Sequence, residues 1–200
     1  MKRLLPLSLF TAAILVPLSS SLAAEAGDRI IRVGLHNIDP KSSNSEIVNV
    51  EDDTQVTFDF TYLFTDNWAI EVLAALPFEH DIVLLDRTVV GSTKHLPPTV
   101  SVQYRFGSSK VQPFIGAGLN YTVFSGEKLR GPLAGADLSL DSSTGLALQI
   151  GLDVQINERL LFNATLRSID IETDASVNGV ALTKVAIDPT ALGLSIGWTF

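Results

Sequence analysis

Six charged residues occupy alternate positions in segments otherwise made of apolar and small residues: Arg32, Asp59, Glu71, Arg105, Asp153 and Arg167. Three cations balance three anions, which suits mutual ion pairing or an ion path. Enclosed together in a narrow space, such a set reads as a structural ion-pair network. Three histidines, His36, His80 and His95, fall at or near the ends of these segments. Their spacing matches no zinc or copper motif, although His80 and His95 flank one connection and could approach each other. No Ser-His-Asp arrangement is readable from spacing. Gly116-Ala117-Gly118 lacks the strand-to-helix context of a nucleotide site and reads as room for neighbouring side chains. Neither a metal, a cofactor nor an enzymatic activity is expected.

The elements that would position these charges are strands. At the C-terminus Leu192, Leu194, Ile196, Trp198 and Phe200 alternate with Gly193, Ser195, Gly197 and Thr199. Successive strand side chains point to opposite faces, so one face is apolar and ends in aromatics while the other is small and polar. The same alternation predicts strands over residues 28–36, 54–64, 68–77, 94–106, 111–124, 141–154, 160–172 and 192–200. Pro97-Pro98 suits a strand entry, Pro113 a strand beginning or bulge, and the weakened alternation at Ser168-Ile169-Asp170 a bulge. Connections run long, short, long, short, long, short, long. Residues 78–93 form an unusually apolar long connection, and Asn178-Gly179 marks the tip of the last. An even number of antiparallel strands with short turns at one end and long loops at the other predicts an all-β fold, an eight-stranded antiparallel transmembrane β-barrel. Both termini then lie at the short-turn end.

Composition agrees. The chain is 46 % hydrophobic, yet no stretch approaches the roughly 20 apolar residues of a membrane helix. A net charge of −8 argues against nucleic acid as a partner. There is no cysteine, which fits an oxidising compartment. Met1-Lys2-Arg3, the interrupted apolar run 4–18 and the small residues 19–24 read as a signal peptide over 1–23, cleaved near Ala23 to Ala26. The barrel then occupies 27–200 and the expected address is the outer membrane.

The six charges fall on the face opposite the apolar stripe. A soluble ligand-carrying barrel has the reverse polarity. Facing lipid, an Arg or Lys near the midplane would cost roughly 2–4 kcal/mol, whereas in the lumen these groups can pair. Leu73 and Phe114 interrupt the polar inner face. They either fill space or floor an apolar pocket opening toward the long loops, with walls from the second and third loops.

Three stretches carry a resemblance to a known family: residues 65–80 (Thr65-Asp66-Asn67-Trp68-Ala69-Ile70-Glu71 and onward to His80), 94–99 (Lys94-His95-Leu96-Pro97-Pro98-Thr99) and 113–122 (Pro113-Phe114-Ile115-Gly116 to Thr122). With Ile187-Asp188-Pro189 and the terminal Phe200, they resemble the OmpW family over essentially the whole mature chain. The resemblance implies a narrow outer-membrane barrel for passive uptake of small hydrophobic molecules, in a family that includes alkane importers. The implied route runs from an apolar extracellular pocket out through the barrel wall. Leu73, Phe114 and Arg167 become candidates for that path, Arg167 either leaving the lumen open or sealing it by pairing. Trp198 and Phe200 are the expected C-terminal signal for the outer-membrane assembly machinery. The lipid bilayer and small hydrophobic solutes are the other expected partners, and the barrel is expected to be a monomer. The competing reading is a structural or receptor-type protein whose loops bind an external partner.

Overall fold

The computed structural model describes residues 24–200 apart from 42, 43, 108 and 109, and apart from the side chain of Pro132. The expected signal peptide over 1–23 lies outside the described residues. Among the described residues fourteen strands follow in chain order: β1 (Arg29–Asp39), β2 (Val48–Val50), β3 (Asp53–Leu63), β4 (Trp68–Ala75), β5 (Phe78–Leu84), β6 (Val89–Leu96), β7 (Thr99–Arg105), β8 (Val111–Leu129), β9 (Leu138–Leu140), β10 (Ser143–Gln155), β11 (Leu160–Ile169), β12 (Glu172–Val177), β13 (Val180–Ala186) and β14 (Thr190–Thr199). A short 3-10 turn, Gly131–Leu133, precedes β9.

Eight of these form a closed antiparallel barrel in the order β1-β3-β4-β7-β8-β10-β11-β14, with β14 returning to β1. The closing seam runs from Asp39↔Thr190 to Ile30↔Thr199. It extends to the last residue, where the Phe200 N–H donates to the Arg29 carbonyl at 2.9 Å. The alternation sorts side chains as expected. Leu192, Leu194, Leu148, Ile150, Val100 and Val102 are exposed on the outer face, while Arg32, Glu71, Arg105 and Asp153 are buried inside. At the short-turn end Trp68, Tyr104 and Phe106 make successive edge-to-face contacts with 5.0 Å between centroids. Tyr62, Phe64, Trp198 and Phe200 are exposed at that same end, forming the aromatic girdle of a membrane interface.

Short turns are held by their own side chains. Thr65 Oγ1 accepts from the Trp68 N–H, and Asn157 Oδ1 accepts from the Leu160 N–H. Asn67 donates from Nδ2 to the Arg105 carbonyl at 2.9 Å, tying the β3–β4 turn to the end of β7.

The long connections differ most from the sequence reading. Residues 78–93 are not a loop: β5 and β6 pair as a hairpin that rises above the barrel, its tip turning at Arg87 with φ 69°. Lys94 to Leu96 belong to β6, not to a barrel strand. β6 and β7 lie end to end along β8, separated by Pro97-Pro98, which cannot donate to the ladder. β8 continues past Phe124 to Leu129 because the upper part of β6 gives it a partner. β11 stops at Ile169, so no bulge falls at 168–170. The chain breaks there and resumes as the β12–β13 hairpin, whose bulge lies at Ala175/Ser176. Asn178 and Gly179 take positive φ values of 50° and 76°, the primed turn that Asn-Gly favours. Pro113 sits near the start of β8.

An arginine on the outer face has no partner and no water. Leu148→Arg is therefore expected to destabilise the barrel by about 2–4 kcal/mol, while Val180→Arg at the exposed hairpin tip stays within about 0.5 kcal/mol. Urea unfolding in lipid vesicles measures both.

Candidate functional site

The inner side chains stack in layers along the barrel axis. At the short-turn end Ala24, Ile30, Leu63, Ala69 and Leu161 pack into an apolar floor. Residues 24–28 help to form it by folding under the barrel, held by the Gly27 N–H to the Leu63 carbonyl at 2.8 Å.

Above the floor lies the charged layer. Arg32 donates from Nη1 to Asp59 Oδ1 at 2.7 Å and to Thr61 Oγ1 at 2.8 Å, and from Nη2 to Asp153 Oδ2 at 2.6 Å. Asp153 also accepts from Arg105 and, at 2.6 Å, from Asn163 Nδ2. The Arg105 guanidinium lies over the Phe114 ring, 5.3 Å from its centroid, and donates to Gln103 Oε1 at 3.4 Å. Gln103 in turn donates to Glu71, which accepts from Arg167 Nη1 at 2.7 Å. Gln103 thus joins two ion-paired groups into one connected set holding all six charges, none more than 6 % exposed. His36 is in this lumen and not at a loop end: its Nδ1 lies 2.7 Å from Thr57 Oγ1 and its Nε2 3.2 Å from Thr165 Oγ1. Glycine makes room for these groups. A Cβ on Gly193 would lie 2.1 Å from His36 Nε2, and one on Gly151 would lie 2.3 Å from the Phe114 ring.

A second apolar layer covers the charges, built from Ile38, Phe78 and Ala191 with Ala75 against them. The void beside it is about 10 Å³, lined by Leu73, Arg167 and His36 among others, no larger than a single water needs.

Above this layer the strand extensions enclose a cavity of about 130 Å³. Its walls come from all four long connections: Val48 and Val50 from the first, Ile82 and Val90 from the second, Leu138 and Leu140 from the third, and Ala175, Val185 and Ile187 from the fourth. Phe124 on β8 completes the wall. His80 and His95 line the cavity, stacked on each other at 4.8 Å between centroids, with His95 also stacked on Phe78 at 5.3 Å. His80 Nδ1 is 2.6 Å from the Glu51 carbonyl, while His80 Nε2 and both His95 nitrogens are buried without a hydrogen-bond partner. Burial, and then the His80 ring beside it, pushes the His95 imidazole down to about 3. Burial lowers His80 as well, against the opposing pull of the Glu51 carbonyl. Both rings are neutral at pH 7. Among the described residues no group of three or more His, Cys, Asp or Glu could hold a metal ion.

The OmpW family model matches residues 25–200. The chain belongs to the OmpW family. It is 39 % identical to outer membrane protein W of Vibrio cholerae over 94 % of this chain and 96 % of that protein. It superposes on the crystal structure of the outer membrane protein OprG from Pseudomonas aeruginosa with a TM-score of 0.82 at 36 % identity, covering 90 % and 99 % of the two chains. A more distant relative, the dibenzothiophene metabolism operon protein PahQ of Pseudomonas aeruginosa, is 26 % identical over 92 % of this chain and 93 % of that one. Like its OmpW relatives, this protein is an outer-membrane barrel embedded in the bilayer.

Of the two readings the sequence left for Leu73 and Phe114, filling space or flooring an apolar pocket, their positions match the first. Leu73, Phe114 and Arg167 do not line the apolar cavity. Phe114 packs deep in the barrel against Arg105, its cross-strand neighbour, Leu73 lines the small void beside Phe78, and Arg167 is paired with Glu71. Sequence reading missed Val48, Ala175, Val185 and Ile187, which stood in segments taken as loops. The signal was present as short alternations, such as Thr173, Ala175 and Val177, that only a hairpin partner makes visible.

Two outcomes follow from this geometry. Asp153→Asn leaves Arg32 and Arg105 short of a counter-charge and is expected to cost about 3–5 kcal/mol, against less than about 1 kcal/mol for Lys184→Ala at the exposed Glu172 pair. Denaturant unfolding measures the contrast. For the histidines, the unfolded imidazole takes its proton near its ordinary value of about 6.5, before the folded one does. The β5–β6 extension is then fully stabilised above about pH 6.5 and loses stability as pH falls toward about 3. Amide hydrogen exchange in β5 and β6 should quicken over that range, and His95→Phe should remove most of the dependence.

Proposed function

We propose that this protein is a passive, non-enzymatic path by which small hydrophobic molecules cross the outer membrane. One observation carries the reading: an apolar cavity opens among the extracellular strand extensions, directly above a lumen that side chains fill. Apolar solute gains by leaving water for such a cavity. It finds no way down the axis, because two apolar layers and the connected charges occupy it. The remaining direction is sideways into the bilayer. A groove on the outer face between β10 and β11, lined by Leu148, Ile150, Leu166, Ser168 and Thr190, reaches Arg167 and Gln149 and is a candidate exit. In this reading Arg167 seals the lumen through Glu71 instead of leaving it open. The name of the PahQ relative, which ties it to metabolism of a flat apolar sulfur heterocycle, agrees with a hydrophobic cargo. We take the barrel as a monomer, inserted through recognition of Trp198 and Phe200 by the outer-membrane assembly machinery. A second reading, loops that bind an external partner, is favoured by the exposed apolar residues Leu85, Val180 and Leu182 at the extension tips.

The protein reconstituted in liposomes should speed entry of an apolar fluorescent solute. Ala175→Trp, which fills the cavity, should cut that entry about ten-fold or more while overpacking only the extensions, at about 1–3 kcal/mol. No acceleration over empty liposomes would leave the loop-binding reading in its place.

A further inference from the structure

The extracellular part has a charge arrangement that bears on which solutes the cavity takes. The long connections, residues 40–53, 78–96, 125–142 and 170–189, carry fourteen acidic and six basic residues. Four of the six cations are already held in pairs: Lys41 with Asp188, Lys94 with Glu79, Arg130 with Asp81 and Lys184 with Glu172. Among the described residues that leaves ten carboxylates without an ion pair against two such cations, Arg87 and Lys128. Part of this surplus lies around the cavity and none of it inside. Glu46, Asp137, Asp141 and Asp174 are exposed. They lie one residue away from the wall residues Ile47, Leu138, Leu140 and Ala175. Among the described residues no Lys, Arg, Asp or Glu lines the cavity. The two histidines that do are neutral at pH 7 because they are buried.

We propose that the cavity is charge-selective, taking uncharged and cationic apolar molecules and turning away anionic amphiphiles such as alkyl or aryl carboxylates. The proposal rests on the hydrophobic-solute reading and adds a class to it. An anionic head is refused at both stages. Outside, it approaches like charges whose summed field is felt over about 8 Å at physiological salt. Inside, it finds no cation to replace lost water, and an unpaired charge in an apolar site is strongly disfavoured. A cationic head need not enter at all. It can stay in water against Glu46, Asp137 or Asp174 while its apolar body fills the cavity. An uncharged molecule meets neither barrier.

Three probes sharing a naphthalene body test this: 2-naphthylethanol, 2-naphthylethylamine and 2-naphthylacetate. Their binding to the full barrel in phosphatidylcholine vesicles, corrected for protein-free vesicles, is measured at pH 7 at low and at high salt. At low salt the amine and the alcohol should bind about ten-fold more tightly than the carboxylate. High salt should narrow the amine-to-carboxylate ratio, leaving the carboxylate weakest because the cavity still offers it no partner. A Glu46→Gln, Asp137→Asn, Asp174→Asn variant should narrow the amine-to-carboxylate ratio in the same direction. The salt series on the unaltered protein stands should that variant not assemble. Carboxylate binding equal to that of the alcohol at low salt overturns the selectivity while leaving the hydrophobic path intact. Binding of none of the three overturns the path itself, and the selectivity with it.

Discussion

The seam between β1 and β14 is the interaction on which the rest of this structure depends. Within hydrocarbon an unpaired backbone N–H or C=O has no water to turn to, and each one left open costs several kcal/mol. The chain meets this by closing its ladder, from Asp39↔Thr190 down to the reciprocal bonds of Arg29 and Phe200. Closure in turn creates an inside, and an eight-stranded inside is only wide enough for side chains. Everything placed there must fit, pair and exclude its neighbours.

The lumen's composition follows from that narrowness. Six charges lie within one connected set because none can reach water, and each carboxylate takes at least one cation. Glycines at 151, 193 and 197 give up their side-chain volume to Phe114, His36 and Arg32 on neighbouring strands. The apolar layers above and below keep the charges dry, which strengthens every pair and makes each costly to break. The same packing removes an axial route, so the polar interior acts as a plug. The apolar open space lies among the extracellular extensions instead.

Those extensions solve a different problem. They stand in water, where backbone groups need no closure, yet they carry more apolar side chains than a solvated loop can use. Pairing β5 with β6, β2 with β5, and β12 with β13 and β9 gives each extension an inner and an outer face. Apolar residues turn inward to make the cavity and carboxylates turn outward. His80 and His95 take part as neutral rings stacked on each other and on Phe78, His80 keeping one contact to the Glu51 carbonyl.

The sequence by itself determined the barrel: its eight strands, their faces, the short and long ends, and which charges look inward. Period-two alternation is a local property and survives without knowledge of any partner, as Leu192 to Phe200 illustrates. The family was legible as well, in the stretches around Asn67-Trp68 and Lys94-His95. The cavity was not. Val48, Ile82, Leu140, Ala175 and Val185 lie far apart along the chain, and their short alternations become strands only when neighbouring hairpins supply hydrogen bonds. Leu73 and Phe114, apolar and inward, could fill space or floor a pocket as far as the sequence goes. Their height along the axis is set by strand tilt and stagger, which no single strand encodes. Tertiary structure decided that height, and so placed Phe114 against Arg105 in the charged layer and the cavity among the extensions above.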